Sequence, residues 1–262
     1  MFNKGTLYSL MLAVPVIFLG SSSASFAAAS RMDSSGYADS DNCVSCRSWA
    51  YVGTLSAGPL WTFANDANTL YLTPEIRNKY TVAHNPNVEG TGELFLGIQH
   101  LIEDGFNGQL GFAVAFASTK INGNIWENAS SAYSDSTYKF TVNSVRYAGK
   151  GKLIVDVPYG FAGYLSGSAG VSANNATHYT ATIPLLHPVA TFGSNQEVTF
   201  SYTVGTGLER SFSEHWRGGV GYEFANWGKY GLSRAPWQTV NHGLGFSHLY
   251  TNELQFSITY VV

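Results

Sequence analysis

The sequence predicts an all-β chain: a closed, antiparallel, up-and-down transmembrane β-barrel of about eight strands. Three observations lead there. Only 12% of residues are charged, while 15% are aromatic and 28 are Gly, against roughly 25% charged in ordinary soluble domains. Apolar residues recur with period two over long stretches, the mark of strands with two unlike faces. The connections between those stretches alternate short and long, as they do in an outer-membrane barrel.

The first segment is set aside as a processing signal. Lys4 precedes an apolar stretch from Leu7 to Gly20, followed by small residues around Ser25–Ala29. That stretch is too short to span a bilayer as a helix, so residues 1–29 read as a cleaved signal peptide. No Cys stands at its end, and no lipid-anchored N-terminus is expected. Residues 30–48, rich in Ser, Asp and Gly, read as a flexible periplasmic leader. Cys43 and Cys46 lie in it with C-x-x-C spacing. In an exported chain this pair is a local disulfide, a redox dithiol or two free thiols. No second pair of Cys or His follows to complete a metal site, and no cofactor is expected.

Residues 49–262 form the barrel. The cleanest runs are Leu110–Phe116, with bulky residues at even positions, and Val198–Glu209, Trp216–Phe224 and Leu254–Val262. Weaker runs at about 50–62, 89–102, 138–148 and 156–172 complete the set. Run 138–148 breaks phase after Val142, which predicts a bulge near Asn143. Short turns are expected at Glu103–Asn107, Gly149–Asp156 and Ser211–His215, and long loops at 64–87, 118–137, 173–195 and 227–249. Both termini then lie on the periplasmic side. The faces opposite the apolar ones carry Gly, Ala, Ser and Thr, which suit the inside of a narrow barrel better than a solvated sandwich face. Aromatics near strand ends (Trp49, Tyr51, Trp61, Tyr138, Tyr147, Tyr159, Trp216 and Trp227) suggest interfacial girdles.

Gly207 to Lys229, read as a G-x-E strand, a short polar turn and Trp216-Arg217-Gly218-Gly219-Val220-Gly221-Tyr222-Glu223-Phe224, resembles the small eight-stranded outer-membrane barrels of the OmpA and opacity-protein type. The last strand resembles the C-terminal signal of that family for the assembly machinery, but ends on Val262 where the family prefers an aromatic. The resemblance implies a bacterial outer-membrane location. No peptidoglycan-binding domain follows, so a wall-anchoring role is not implied.

Charges inside a narrow barrel need partners, because desolvating a lone charge costs several kcal/mol. The candidates for an interior charge network are Glu93, Lys139, Glu209, Arg217, Glu223 and Glu253, with Gln99 and Glu197 nearby in pattern. Arg217 is expected to pair with Glu209 or Glu223, and Lys139 with Glu93 or another inner carboxylate. The last loop offers Lys229, Tyr230, Arg234, Trp237 and His242 as surface-binding candidates, with Tyr71, Arg77, Lys79, Tyr80 and His84 of the first loop. Aromatics among cations suit sugars or lipopolysaccharide phosphates. A Ser247, His248 and Glu253 set is the one hydrolase candidate, weak because neighbours on a strand point to opposite faces. The net charge of -3 gives no case for nucleic-acid binding. The expected role is structural or adhesive, through loops exposed at the surface, with a narrow solute channel and a lipid-modifying enzyme as alternatives. Outer-membrane lipids and lipopolysaccharide, the assembly machinery and a host or surface ligand are the expected partners, and the barrel is expected to be a monomer.

Overall fold

Among the described residues, twelve strands carry the period-two pattern into space. The computed structural model describes residues 49–63, 66–83, 88–127, 136–182, 191–240 and 242–262. The signal, the leader, Cys43, Cys46 and His84 lie outside them. In chain order the strands are β1 Trp49–Phe63, β2 Ala67–Tyr71, β3 Arg77–Val82, β4 Glu89–Glu103, β5 Phe106–Glu127 and β6 Ser136–Val157. They continue with β7 Phe161–Thr182, β8 Asn195–Ser211, β9 Trp216–Asn226, β10 Tyr230–Gly231, β11 Gly245–Phe246 and β12 Tyr250–Val261.

Eight of them close a ring in the order β1, β4, β5, β6, β7, β8, β9, β12 and back to β1, every contact antiparallel. Closure matters because hydrocarbon offers the backbone no hydrogen-bond partner. Following opposed residues around the ring from Val52 passes through Gly97, Gly111, Lys150, Ser168, Thr203, Ala225 and Thr251. It returns on Thr62, ten residues along β1. With eight strands this stagger requires a tilt of roughly 43°.

The lower part of the ring wears its apolar side chains outward. Leu110, Phe112 and Phe116 on β5 are 53–67% exposed, and Tyr147 and Leu153 on β6, Leu165 and Val171 on β7, and Phe200, Val204 and Leu208 on β8 are exposed with them. Each such run covers about eleven residues, which at this tilt gives a belt of roughly 25 Å, the height of an outer-membrane hydrocarbon layer. Trp49, Tyr51, Tyr159, Trp216 and Tyr260 ring its periplasmic rim, all exposed.

Above the belt the polarity reverses. β5, β6 and β7 continue past the membrane, and there the inward positions are apolar: Ile121, Ile125, Tyr138, Phe140, Val142 and Ala176 are buried. The hairpin β2–β3 extends this wall by pairing with β5 (Tyr80 opposite Ile125). Much of the loop expected at 118–137 and of that at 173–195 is therefore strand. The bulge expected near Asn143 is absent, since Ser136 to Val155 pair with β5 in unbroken register. The phase break is a change of environment along a straight strand. An irregularity does occur opposite Phe140, on β7, where His178 takes a left-handed φ of 56°.

The turn expected at Gly149–Asp156 is also overturned. Gly149 and Gly151 sit mid-strand, opposite Phe112 and Leu110, and Lys150 between them points inward. The chain reverses instead at Pro158–Gly160. Tyr138 and Trp227, expected in the girdle, are buried inside.

Candidate functional site

The lumen is filled in layers. At its periplasmic end Ala50, Val52, Phe95, Ala113 and Val261 form a small apolar cluster. At mid-height Arg146, Lys150, Glu93 and Glu223 form a closed ring of charges. Arg146 Nη2 donates to Glu93 Oε2 and to Glu223 Oε1, both at 3.1 Å. Lys150 Nζ donates to Glu223 Oε2 at 2.8 Å and also to Glu93. Since Glu93 is on β4, both cations on β6 and Glu223 on β9, the ring ties three walls together across the barrel.

Two polar extensions leave this ring. Lys152 pairs with Glu209 and lies 4.0 Å from the Tyr164 ring centre. Arg217 Nη1 donates to Gln99 Oε1 at 2.9 Å, which also accepts from Gln109 Nε2 at 3.0 Å. Arg217 was expected to hold Glu209 or Glu223, but those carboxylates are held by Lys152 and by the Arg146–Lys150 pair. The cavity between Lys150, Lys152, Gln109 and Ser166 is only about 30 Å³, room for about two water molecules.

The upper layer is apolar and comes from the segment after β9. Trp227, fully buried, lies over the Arg146 guanidinium, with Cζ 4.6 Å from the ring centre. Arg146 Nε and Nη1 have no hydrogen-bond partner among the described residues, and the indole face takes that place. Trp227 Nε1 donates to Thr251 Oγ1 at 3.0 Å, which donates to Glu253 Oε1 at 2.9 Å. Asn174 Nδ2 donates to the carbonyls of Trp227 and Lys229, both at 2.7 Å. Gly228 permits this inward dive: its φ is +78°, and a Cβ there would strike Thr199 and the Phe200 carbonyl. Beyond it Tyr230, Leu232, Leu244, Phe246 and Leu249 pack against Phe140, Tyr80 and Leu70. The segment expected to wave outside as a loop is thus a plug seated in the outer mouth.

The surface candidates divide accordingly. Lys229, Arg234 and His242 are exposed, and Trp237 is half-buried against the plug core. Tyr230 is buried, so it is a core residue and not a surface one. Burial pushes its hydroxyl, and those of Tyr138 and Tyr179, far above the usual phenol range. Lys229 borders an open cleft of about 340 Å³ with Glu197 and Ser247. Lys139 is exposed on the outer side of β6, opposite Asn122, and does not meet Glu93. Ser247 and His248 are exposed while Glu253 is enclosed in the lumen, where it accepts from Thr251 and Gln255, so the hydrolase set does not assemble.

Arg146, Lys150 and Lys152 went unread in the sequence. Their even spacing does put all three on one strand face, and the assumption that this face was apolar hid them. The expected turn at Gly149–Asp156 hid Lys150 and Lys152 a second time.

No protein-family model matches the chain, and no curated protein does. Solved structures with a similar architecture include Neisserial surface protein A, 11% identical over 82% of this chain and 97% of that one, with a TM-score of 0.40. The outer membrane protease OmpT from Escherichia coli is 10% identical over 81% and 97%, at 0.44. Ail, the attachment invasion locus protein of Yersinia pestis, is 11% identical over 82% and 99%, at 0.33. The closed ring and its apolar belt make the chain an integral outer-membrane β-barrel.

Proposed function

We propose that this outer-membrane β-barrel is a closed, non-conducting scaffold whose working part is the rigid surface it holds outside the membrane, in a structural or adhesive role. The observation that carries this reading is the filled lumen. A ring of four charges crosses the middle of the barrel, and the Trp227-to-Leu249 plug packs on top of it. Moving a solute through would require breaking the charge ring and expelling a buried Trp, each a step of several kcal/mol. The outer surface, by contrast, stands on paired strands. β5, β6 and β7 run 22 residues each, far longer than the belt needs. Strands that long hold binding groups in fixed positions, which lowers the ordering cost of association.

The test is conductance of the mature protein refolded into a planar bilayer. A folded, heat-modifiable protein that stays silent is expected. Steady openings in the unmodified protein would replace this reading with that of a narrow channel.

A further inference from the structure

The barrel wall has a notch at the upper end of β8. Below it β8 pairs with β9 from Ser211 up to Tyr202, and the pairing stops where β9 ends at Asn226. The chain then dives inward at Gly228, while β8 runs on to Asn195 with β7 as its strand partner. The carbonyls of Thr206 and Leu208 lie on the β9 side of β8, and that of Thr203 on the β7 side. Backbone direction alternates along a strand, so the even-numbered residues face β9. Above Tyr202 these are Phe200, whose carbonyl lies against Gly228, then Val198 and Gln196. The N–H and C=O groups of Val198 and Gln196 have no hydrogen-bond partner among the described residues. No Pro or bulge blunts this edge between Asn195 and Ser201. Beside it opens the cleft of about 340 Å³ that Glu197, Lys229 and Ser247 line. Its far wall is fixed by two bonds to the β2 hairpin: Asn68 Nδ2 donates to the Gly245 carbonyl at 2.6 Å, and the Ser247 amide donates to Asp66 Oδ2 at 3.0 Å. On the near wall Glu197 Oε1 accepts from Asn195 Nδ2 at 3.0 Å.

We propose that this notch is a docking site for an extended peptide segment of a partner protein, which adds to the free edge of β8 as a further strand and sends alternate side chains into the cleft. Three features select this occupant. The edge offers one donor and one acceptor at each of two residues about 6.8 Å apart, and another strand repeats its own groups at that distance. A sugar or a lipid headgroup carries no such repeat of amide donors and acceptors. The cleft is lined by one carboxylate, Glu197, and one ammonium, Lys229. A strand bearing a cation and an anion at alternate positions turns both toward them. The bonds to Asn68 and Asp66 hold the far wall in place before binding, which lowers the ordering cost. The site rests on the adhesive reading of the outer half: silence in a bilayer tests that reading, and peptide binding tests the notch.

The test is fluorescence anisotropy of labelled, end-capped peptides titrated with the full mature protein in micelles, with empty micelles as the blank. The probes are Thr-Lys-Thr-Glu-Thr and Thr-Glu-Thr-Lys-Thr, which cover both charge orders. Copies N-methylated at every amide lack the donors that a strand needs. Val198→Pro removes an edge N–H without touching a bond to β7. Glu197→Lys reverses the charge in the cleft, and Glu75→Lys makes the same change at the exposed β2–β3 turn as a control. Heat-modifiable migration verifies the folding of each variant. At least one peptide is expected to bind the unmodified protein, and neither N-methylated copy to do so. Its affinity should fall about fivefold in Val198→Pro and in Glu197→Lys, and stay unchanged in Glu75→Lys. Absence of binding by both peptides, equal binding of the N-methylated copies, unchanged affinity in Val198→Pro or Glu197→Lys, or equal loss in Glu75→Lys would each overturn the proposal.

Discussion

The barrel's lower and upper halves are built from the same strands and obey opposite rules. In the membrane, β6 turns Tyr147, Leu153 and Val155 out to lipid and Arg146, Lys150 and Lys152 into the lumen. Ten residues further up, the same strand turns Phe140 and Tyr138 in and Lys139 out. The backbone does not change; the solvent does. Lipid rewards apolar groups on the outside and leaves the inside to whatever pairs best. Water outside demands the ordinary arrangement of an apolar core under a polar skin. The crossing point is where Trp227 meets Arg146, so one contact joins a charge network below to a hydrophobic core above.

That contact is where the comparison is most easily broken. Trp227→Ala removes the largest buried side chain of the plug and uncovers the Arg146 guanidinium. A loss of about 4–5 kcal/mol is expected, read as a lower urea midpoint for the refolded protein. The outer segment should also become protease-sensitive on intact cells while the belt strands stay protected. If proteolysis of the plug is unchanged, the two halves are not joined through this residue.

Glu223→Leu acts in the lower half alone. It strands Arg146 and Lys150 with one carboxylate, Glu93, in place of two. Breaking a buried network from one side costs about 3–5 kcal/mol, and most of this should appear as reduced resistance to heat in the gel-shift assay. Replacing Lys150 with Met in the same chain should restore part of the loss, because the leftover charge is removed with its partner. A double variant no better than the single one would mean the ring contributes as separate pairs.

The belt was legible in the sequence because lipid-facing alternation is strict: Leu110, Phe112, Val114 and Phe116 fix the face of β5 without ambiguity. The upper half was not, because it obeys the soluble rule on the same strand. Reading one face as apolar throughout made Ser144 and Arg146 look like a register error. It also led Lys139 to be counted as internal. Gly149-Lys150-Gly151 carries every local sign of a turn, and only the long-range pairing with Phe112 and Leu110 shows why two small residues fit there. The candidate network was half visible. Its carboxylates Glu209 and Glu223 lie on runs with clear phase, Glu253 borders another and Glu93 lies on a weaker one, whereas its β6 cations lie where the phase is lost. Nothing local marks 227–249 as a plug, since its core contacts with Phe140 and Leu70 are set by closure of the whole ring.

The mildest expected effect sharpens the boundary itself. Glu89 begins β4 at the height where the outer faces turn polar, and burial pushes its carboxyl up from the ordinary 4.5 to about 7, only partly countered by its bond to the Lys120 amide. The folded state therefore holds a proton that the unfolded chain releases near pH 4.5. Stability of the outer half should fall as pH rises from about 4.5 to about 7, and level off above that. Glu89→Gln keeps the shape without the titration, so hydrogen exchange of β4 and β5 near Lys120 should lose that dependence. The belt residues below should exchange alike in both proteins at every pH. If the variant keeps the full slope, the proton sits elsewhere and Glu89 does not mark the edge between the two regimes.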